Sequence, residues 1–289
     1  MPAEANLQSQ ADFIKPLSID FVEQFGLRLK SLYQLLGVER RIPMASGSVL
    51  KTYKSVVTLD NTKVAPGDVI PLSKVEFKEG PTKELAWTKR RKAAPVELIQ
   101  SVGFDKAILQ TDDKFKREIQ KGIRDELFAQ LKTGTGKATA VGLQATMAQA
   151  WGQVVTKFDE DDVSVITFIN PLDAADYLGD AALTTQTTFG MSYLEGFLNN
   201  RVVMMHPSIP KGTLYATAAQ NLVLAYVAMN GEVNKAFDFT TDETGIIGVT
   251  HDINKQRLTA ETVAAFGICL FAEVLDGVIV GTIKPKATA

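Results

Sequence analysis

The stretch from Thr244 to Pro285, TGIIGVTHDINKQRLTAETVAAFGICLFAEVLDGVIVGTIKP, constrains the fold more than any other part of the chain. Leu258, Ala260, Thr262, Ala264, Phe266, Ile268, Leu270, Ala272 and Val274 recur at period two, and nearly all are apolar. Successive side chains of a strand point to opposite faces, so this spacing predicts one long strand, Leu258 to Val274, with an apolar face. A second apolar run, Val278 to Ile283, follows the turn signal Asp276-Gly277 and predicts another strand. No catalytic residue set lies upstream, and two such strands point to a structural chain.

With 289 residues the chain can bury a large core and form two lobes. Its 45% apolar and 22% charged content argues against wholesale disorder. No window holds about 18 uninterrupted apolar residues, and Glu4, Asp12, Lys15, Asp20, Glu23, Arg28 and Lys30 crowd the first thirty positions. Neither a transmembrane helix nor a signal peptide is predicted. The single cysteine, Cys269, rules out an internal disulfide and a multi-cysteine metal site. Within its apolar run it reads as a small buried hydrophobe in a chain made in a reducing cytosol.

The net charge of −2 hides an uneven distribution. Residues 1–133 carry 22 Lys and Arg against 17 Asp and Glu, and residues 134–289 carry 9 against 16, so the halves stand at +5 and −7. Complementary halves suit copies that touch front to back, although chance clustering on solvated faces gives the same counts. A dedicated nucleic-acid binder would be clearly basic overall, and this chain is not.

Residues 1–16 are small and polar and read as an arm. Ser18 is a candidate cap for a helix to about Leu36, with Phe21, Val22, Phe25, Leu29, Leu32, Leu35 and Leu36 as its stripe and Gly37 as its stop. Between 46 and 92, GSVLKTYKSVVTL and SKVEFKEG read as strands, with Val75 and Phe77 opposite Glu76 and Lys78. Asp60-Asn61 and Pro66-Gly67 mark turns. So few apolar residues cannot fill a core, and an isolated hairpin is marginal in water, so a projecting loop is expected. Leu85 and Trp87 lead from it into the basic run Lys89-Arg90-Arg91-Lys92.

A long helix is predicted from Asp112 to Leu131, with Phe115, Ile119, Ile123 and Leu127 every fourth residue and Phe128 and Leu131 beside them. Asp112 with Lys116, and Asp113 with Arg117, form acid-before-base pairs on its exposed face. Beyond it come a helix over 146–158, a strand over 163–169, a short helix opened by Asn170-Pro171 and ending at Leu178, and strands near 202–205, 212–216 and 222–228. Met147, Trp151, Val154, Val155 and Phe158 make the buried side of the 146–158 helix.

Several motifs invite chemistry and fail on spacing. KTGTGK lacks the first Gly and the final Ser or Thr of a phosphate loop, holding Leu131 and Ala138 there, and follows a helix where the motif needs a strand. Helix termination accounts for Gly134 and Gly136. Asp159-Glu160-Asp161-Asp162 lacks the spacing and central glycine of a calcium loop and reads as a solvated turn. His206 and His251 carry no zinc or triad pattern, and Ser46, Ser48 and Ser192 lack a nucleophile-elbow context. No enzyme, cofactor or metal site is predicted.

The order of elements, together with ITFINPLDAADYLG, VVMMHPSIPKGTLYATAAQNLVLAY and LFAEVLDGVIVGTI, resembles the tailed-bacteriophage major capsid protein of the Hong Kong 97 type, whose fold encapsulin shells share. The resemblance covers nearly the whole chain and implies an α+β fold. Residues 1–45 would be the N-terminal arm and helix, and 46–92 an extended β-hairpin loop lying across a neighbour. Residues 93–133 and 246–274 would form a peripheral domain on a long spine helix, and 134–245 with 275–289 an α/β axial domain. It also implies an icosahedral shell of hexamers and pentamers around double-stranded DNA, touched non-specifically on the inner face. Further implications are a separate scaffolding protein rather than a fused segment, a portal, no membrane, assembly in the host bacterial cytoplasm and residence in the virion. An encapsulin-like nanocompartment is the near alternative, and an unrecognised hydrolase or binding module the distant one.

Some relatives link a loop lysine to an asparagine with the help of a glutamate. Aligned on Gly281-Thr282-Ile283, the matching positions hold Leu258 and Ala265, which cannot do that chemistry, while Asn254 and Glu261 lie four residues away. A shell without covalent crosslinks is therefore expected. Lys89, Arg90, Arg91 and Lys92, with Trp87, are the candidate intersubunit contacts, because four adjacent cations repel one another unless acidic groups lie near, as another copy would supply; a solvated basic patch is the ordinary alternative.

Overall fold

A computed structural model describes residues 10–60, 63–159, 162–178 and 185–285. Residues 1–9 of the predicted arm, Asn61, Glu160, Asp161 and residues 286–289 lie outside the described residues, as does the Phe77 side chain. Helix α1 (Gln10–Leu35) begins before Ser18, so Ser18 is not its cap. The Ser18 hydroxyl is instead taken by His251 Nδ1 at 2.7 Å. The predicted stripe is buried at Phe21, Val22, Phe25, Leu29, Leu32 and Leu36. Gly37 ends the helix at φ +62, where Val38 N–H closes back on the Tyr33 carbonyl at 2.8 Å.

Strand β1 (Arg40–Met44) leads into β2 (Ser48–Thr58) and β3 (Lys74–Leu85), which pair only with each other as a two-stranded antiparallel ribbon. Strand β4 (Thr88–Pro95) follows, and α2 (Val96–Val102) runs through Gly103 into α3 (Phe104–Leu131). This helix starts eight residues before the predicted Asp112, because Ala107 and Ile108 extend its buried face by two turns. At 28 residues it is about 42 Å long.

The remaining elements in order are β5 (Gly136–Val141), α4 (Leu143–Phe158), β6 (Val165–Ile169), α5 (Pro171–Leu178), β7 (Gln186–Thr188), β8 (Met191–Glu195), β9 (Val202–Met205), β10 (Thr213–Ala218) and β11 (Leu222–Val227). They end with α6 (Glu232–Phe237), β12 (Thr240–Thr241), β13 (Ile247–Asn254), β14 (Thr259–Phe266), β15 (Ile268–Ala272) and β16 (Ile279–Lys284). Asn170 opens α5 by accepting Leu172 N–H at 2.8 Å while donating to the Ile209 carbonyl at 2.5 Å.

Three sheets share the core. The largest has strand order β5-β16-β10-β6-β9-β8-β7. Its strand β6 is buried at all five positions. Val165 and Ile169 face α4 with Met147, Ala150 and Val154, while Ile166 and Phe168 face Phe128 and Leu131 of α3. A strand covered on both sides shows a continuous apolar run rather than alternation. The other sheets run β12-β13-β14-β4 and β1-β11-β15.

The predicted strand from Leu258 to Val274 is two strands in two sheets. Gly267 divides them, and a Cβ there would come within 2.5 Å of Val227, so only glycine lets the chain step between sheets. Leu258 itself sits exposed in the preceding turn at φ +49. The glycines of KTGTGK also do something other than stop a helix, since α3 already ends at Leu131. A Cβ on Gly134 would meet the Val278 side chain and carbonyl at 2.6 Å, and Gly136 begins β5, parallel to β16.

Candidate functional site

The basic run lies in β4, antiparallel to β14, with Lys89 opposite Ala265, Arg90 opposite Ala264, Arg91 opposite Val263 and Lys92 opposite Thr262. Strand alternation puts Lys89 and Arg91 on one face and Arg90 and Lys92 on the other. Lys92 turns inward and meets the Asp112 carboxylate of α3 at 2.6 Å, with the Ile108 carbonyl at 3.2 Å and the Thr111 hydroxyl at 2.5 Å. Arg91 pairs with Glu261 of β14 at 2.7 Å. Lys89 and Arg90 are exposed, and no ion pair is recorded for them among the described residues. Trp87 is half-buried against the cluster of Leu50, Leu85, Val223 and Phe271. Two of the five candidate contact residues thus have acidic partners within their own chain, and a third packs on its core.

Asp112 is the centre of a buried network that no local pattern in the sequence displays. Its carboxylate takes His251 Nε2 at 3.0 Å and the Thr262 hydroxyl at 3.3 Å besides Lys92. Ser18 closes the line at His251 Nδ1. Five elements, α1, α3, β4, β13 and β14, therefore meet on polar groups. Burial alone would raise the Asp112 carboxyl pKa, but the hydrogen bonds from His251 and Lys92 outweigh it and hold the pKa below the ordinary carboxylate value. The predicted surface pair of Asp112 with Lys116 does not form. Both residues are buried, and Lys116 reaches Asp113 at 2.9 Å and Gln24 at 2.5 Å.

The Ser18–His251–Asp112 line has the residue types of a hydrolytic triad, brought together across 233 residues of sequence. All three side chains are buried, so no substrate carbonyl has access to the Ser18 hydroxyl. The line is a hydrogen-bonded brace. His206 lies apart from it, stacked on Phe128 at 5.5 Å. Among the described residues, no group of three or more His, Cys, Asp and Glu side chains could hold a metal ion.

At the β13–β14 turn Asn254 and Glu261, four positions from the aligned Leu258 and Ala265, come together with Asn254 Nδ2 at 3.3 Å from the carboxylate. Asn254 Oδ1 accepts the Gln256 and Arg257 amides at 3.1 and 3.2 Å. Glu261 is held by Arg91 and by Thr259 at 3.1 Å. Desolvation raises its carboxyl pKa, and the contacts with Arg91, Thr259 and Asn254 reverse that, so the net shift is downward.

The hairpin is the other exceptional feature. Its strands pair from Ser48 opposite Leu85 to Thr58 opposite Lys74, with one irregularity between Lys51 and Tyr53. Its base is anchored by Leu50 and Leu85 in the core and by Lys83 on Glu126 of α3 at 2.5 Å. Beyond the strands Val69, Ile70 and Leu72 are 92%, 77% and 95% exposed.

No protein-family model matches the chain, and no curated protein matches its sequence. Solved structures do match in shape. The capsid of the cyanophage P-SCSP1u is 8% identical and covers 86% of each chain, at a TM-score of 0.54. A virus-like particle from Pyrococcus furiosus is 9% identical, covers 93% of this chain and 99% of its own, at 0.52. An encapsulin complex from Synechococcus elongatus is 10% identical, covers 87% and 88%, at 0.50. With its β-ribbon, long α3 and mixed seven-stranded sheet, the chain has the Hong Kong 97-like capsid fold, an α+β architecture.

Proposed function

We propose that the chain is a major capsid protein whose copies close into the icosahedral shell of a tailed bacteriophage, around double-stranded DNA. The observation that carries this reading is the β2–β3 ribbon. A two-stranded ribbon is marginal in water by itself, and the apolar Val69, Ile70 and Leu72 beyond it leave solvent only if another molecule covers them. A neighbouring copy under the ribbon supplies that surface, and heterologous contacts of this kind close into rings. The fold shared with a cyanophage capsid supports the reading. In it, 46–92 is the extended loop, 93–133 and 246–274 the peripheral domain, and 134–245 with 275–289 the axial domain. Lys89 and Arg90 then face acidic groups of another copy. A separate scaffolding protein and a portal complete the assembly in the bacterial host, and the particle is the virion. No helix among the described residues is long and apolar enough to cross a membrane.

Electron microscopy of the purified chain, with and without its scaffold, tests this. Closed particles of uniform size are expected, and a monodisperse monomer at high concentration with scaffold present refutes the reading. Particles that hold protein cargo and no DNA would instead fit the encapsulin alternative. Lys89→Glu with Arg90→Glu should block assembly while leaving circular dichroism unchanged. Exposed pairs contribute about 0–1 kcal/mol each and are screened beyond about 8 Å at physiological salt, so shells should loosen as salt rises. Normal shells with unchanged salt tolerance would reduce the two cations to a solvated patch.

A further inference from the structure

A cleft of about 400 Å³ opens between α1 and the β7–β8 turn, with Arg28, Ser31, Gln120, Thr187, Thr188 and Gly190 on its walls. It shares Ser31 and Thr188 with an adjoining cleft of about 430 Å³ that adds Arg201. Among the described residues no carboxylate lines the first cleft, and Glu195 is the one carboxylate on the second. The walls thus offer cations, an amide and hydroxyls with little acid to neutralise them.

Two buried donors at this place have no acceptor among the described residues. Gln120 is 2% exposed, lines the cleft, and leaves Nε2 unbonded. Arg124, one turn further along α3 and 9% exposed, leaves Nε unbonded. Its Nη1 donates to the Phe189 carbonyl, and its guanidinium lies 5.9 Å from the Phe189 ring centroid. No ion pair is recorded for it among the described residues. Gly190, at φ +75 on the cleft wall, leaves the room this group occupies, since a Cβ there would come within 2.6 Å of Nη1. Burial pushes the Arg124 pKa down, against the pull of Asp125 and Glu118. Buried polar groups are as a rule hydrogen-bonded, and a buried guanidinium as a rule has an anion. Two such orphans beside one open cleft, free of carboxylates among the described residues, point to an acceptor that comes from outside the chain.

We propose that this cleft binds a phosphate group, with Gln120 as the buried donor on its wall, Arg124 as the buried cation behind Gly190, Thr188 as a hydroxyl donor and Arg28 as the exposed cation. Phosphate fits better than a carboxylate because a tetrahedral dianion presents more acceptor oxygens to donors that converge from three elements, and guanidinium groups suit it in charge and geometry. The group can arrive as free phosphate or as part of a nucleic-acid backbone, and both present the same oxygens.

Thermal unfolding of the purified full chain, in phosphate and in chloride of matched ionic strength, tests the site. Ligand that binds only the native state raises Tm progressively with its concentration. Phosphate should therefore raise Tm above chloride, and Gln120→Leu and Arg28→Gln should each remove most of that rise. Gln120→Leu should leave Tm in chloride at or above that of the parent, because it removes a buried donor without a partner. The two sources separate by anisotropy with a short double-stranded oligonucleotide. If the backbone supplies the group, Arg28→Gln weakens binding and lowers the salt slope by about one. If free phosphate is the ligand, the oligonucleotide is indifferent to Arg28 while the phosphate response persists. An equal rise in both variants overturns the proposal, and so does an equal rise with matched chloride or acetate. None of these measurements needs assembled shells, so the site and the shell reading fail separately.

Discussion

Replacing Asp112 of α3 with alanine removes the carboxylate on which β4, β13 and β14 converge, with α1 joined through His251. In the native chain it accepts from Lys92 at 2.6 Å, His251 at 3.0 Å and Thr262 at 3.3 Å. Without it Lys92 keeps only the Ile108 carbonyl and the Thr111 hydroxyl, and His251 Nε2 loses its partner. Breaking a buried pair from one side costs about 3–5 kcal/mol, most of it the stranded charge. At a few degrees per kcal/mol, Tm of the unassembled chain should fall by roughly 6–15 °C. Lys92→Met should cost less, because Asp112 keeps two donors and methionine can follow the lysine stem. The Asp112→Ala/Lys92→Met double variant should then be more stable than Asp112→Ala, since no cation is left buried. Melting followed by circular dichroism measures all three. A Tm for Asp112→Ala within about 2 °C of the parent, or a double variant no better than the single one, would show that the Asp112 carboxylate does not hold these elements together. Lys92 would then have to be reconsidered as a contact to another copy.

The same carboxylate sets a pH dependence. Its folded pKa is depressed, so the unfolded chain takes the proton first, and the contribution is present above about pH 4 and lost as pH falls through the folded value. In denaturant titrations the stability gap between the parent and Asp112→Asn should shrink from about pH 5 to about pH 3; a constant gap would place the effect elsewhere. For crosslinking, boiled mature shells on a denaturing gel should give one band near 31.4 kDa. Asn254 is engaged as a turn cap, and Glu261, ionised on Arg91, is a weak base for a lysine. A ladder of multimers that Asn254→Ala abolishes would show that the pair does the chemistry after all.

Patterns confined to one element were legible in the sequence. The α1 stripe, the four-residue ladder of α3, the Asn170-Pro171 start of α5 and the polar ribbon of β2 and β3 all follow from periodicities and turn residues that a short segment carries alone. Tertiary structure decided whatever depends on which segments meet. Period-two spacing cannot reveal that Gly267 must be small because Val227 lies against it, so one apparent strand serves two sheets. Asp112 and Lys116 look like a surface pair because i and i+4 are neighbours on any helix, yet β4, β13 and α1 cover that face and claim both residues. Four consecutive cations look alike in sequence. Alternation puts Arg90 and Lys92 on one face of β4 and Lys89 and Arg91 on the other, and α3 then claims only Lys92, because a side chain's partner is chosen by the element opposite it.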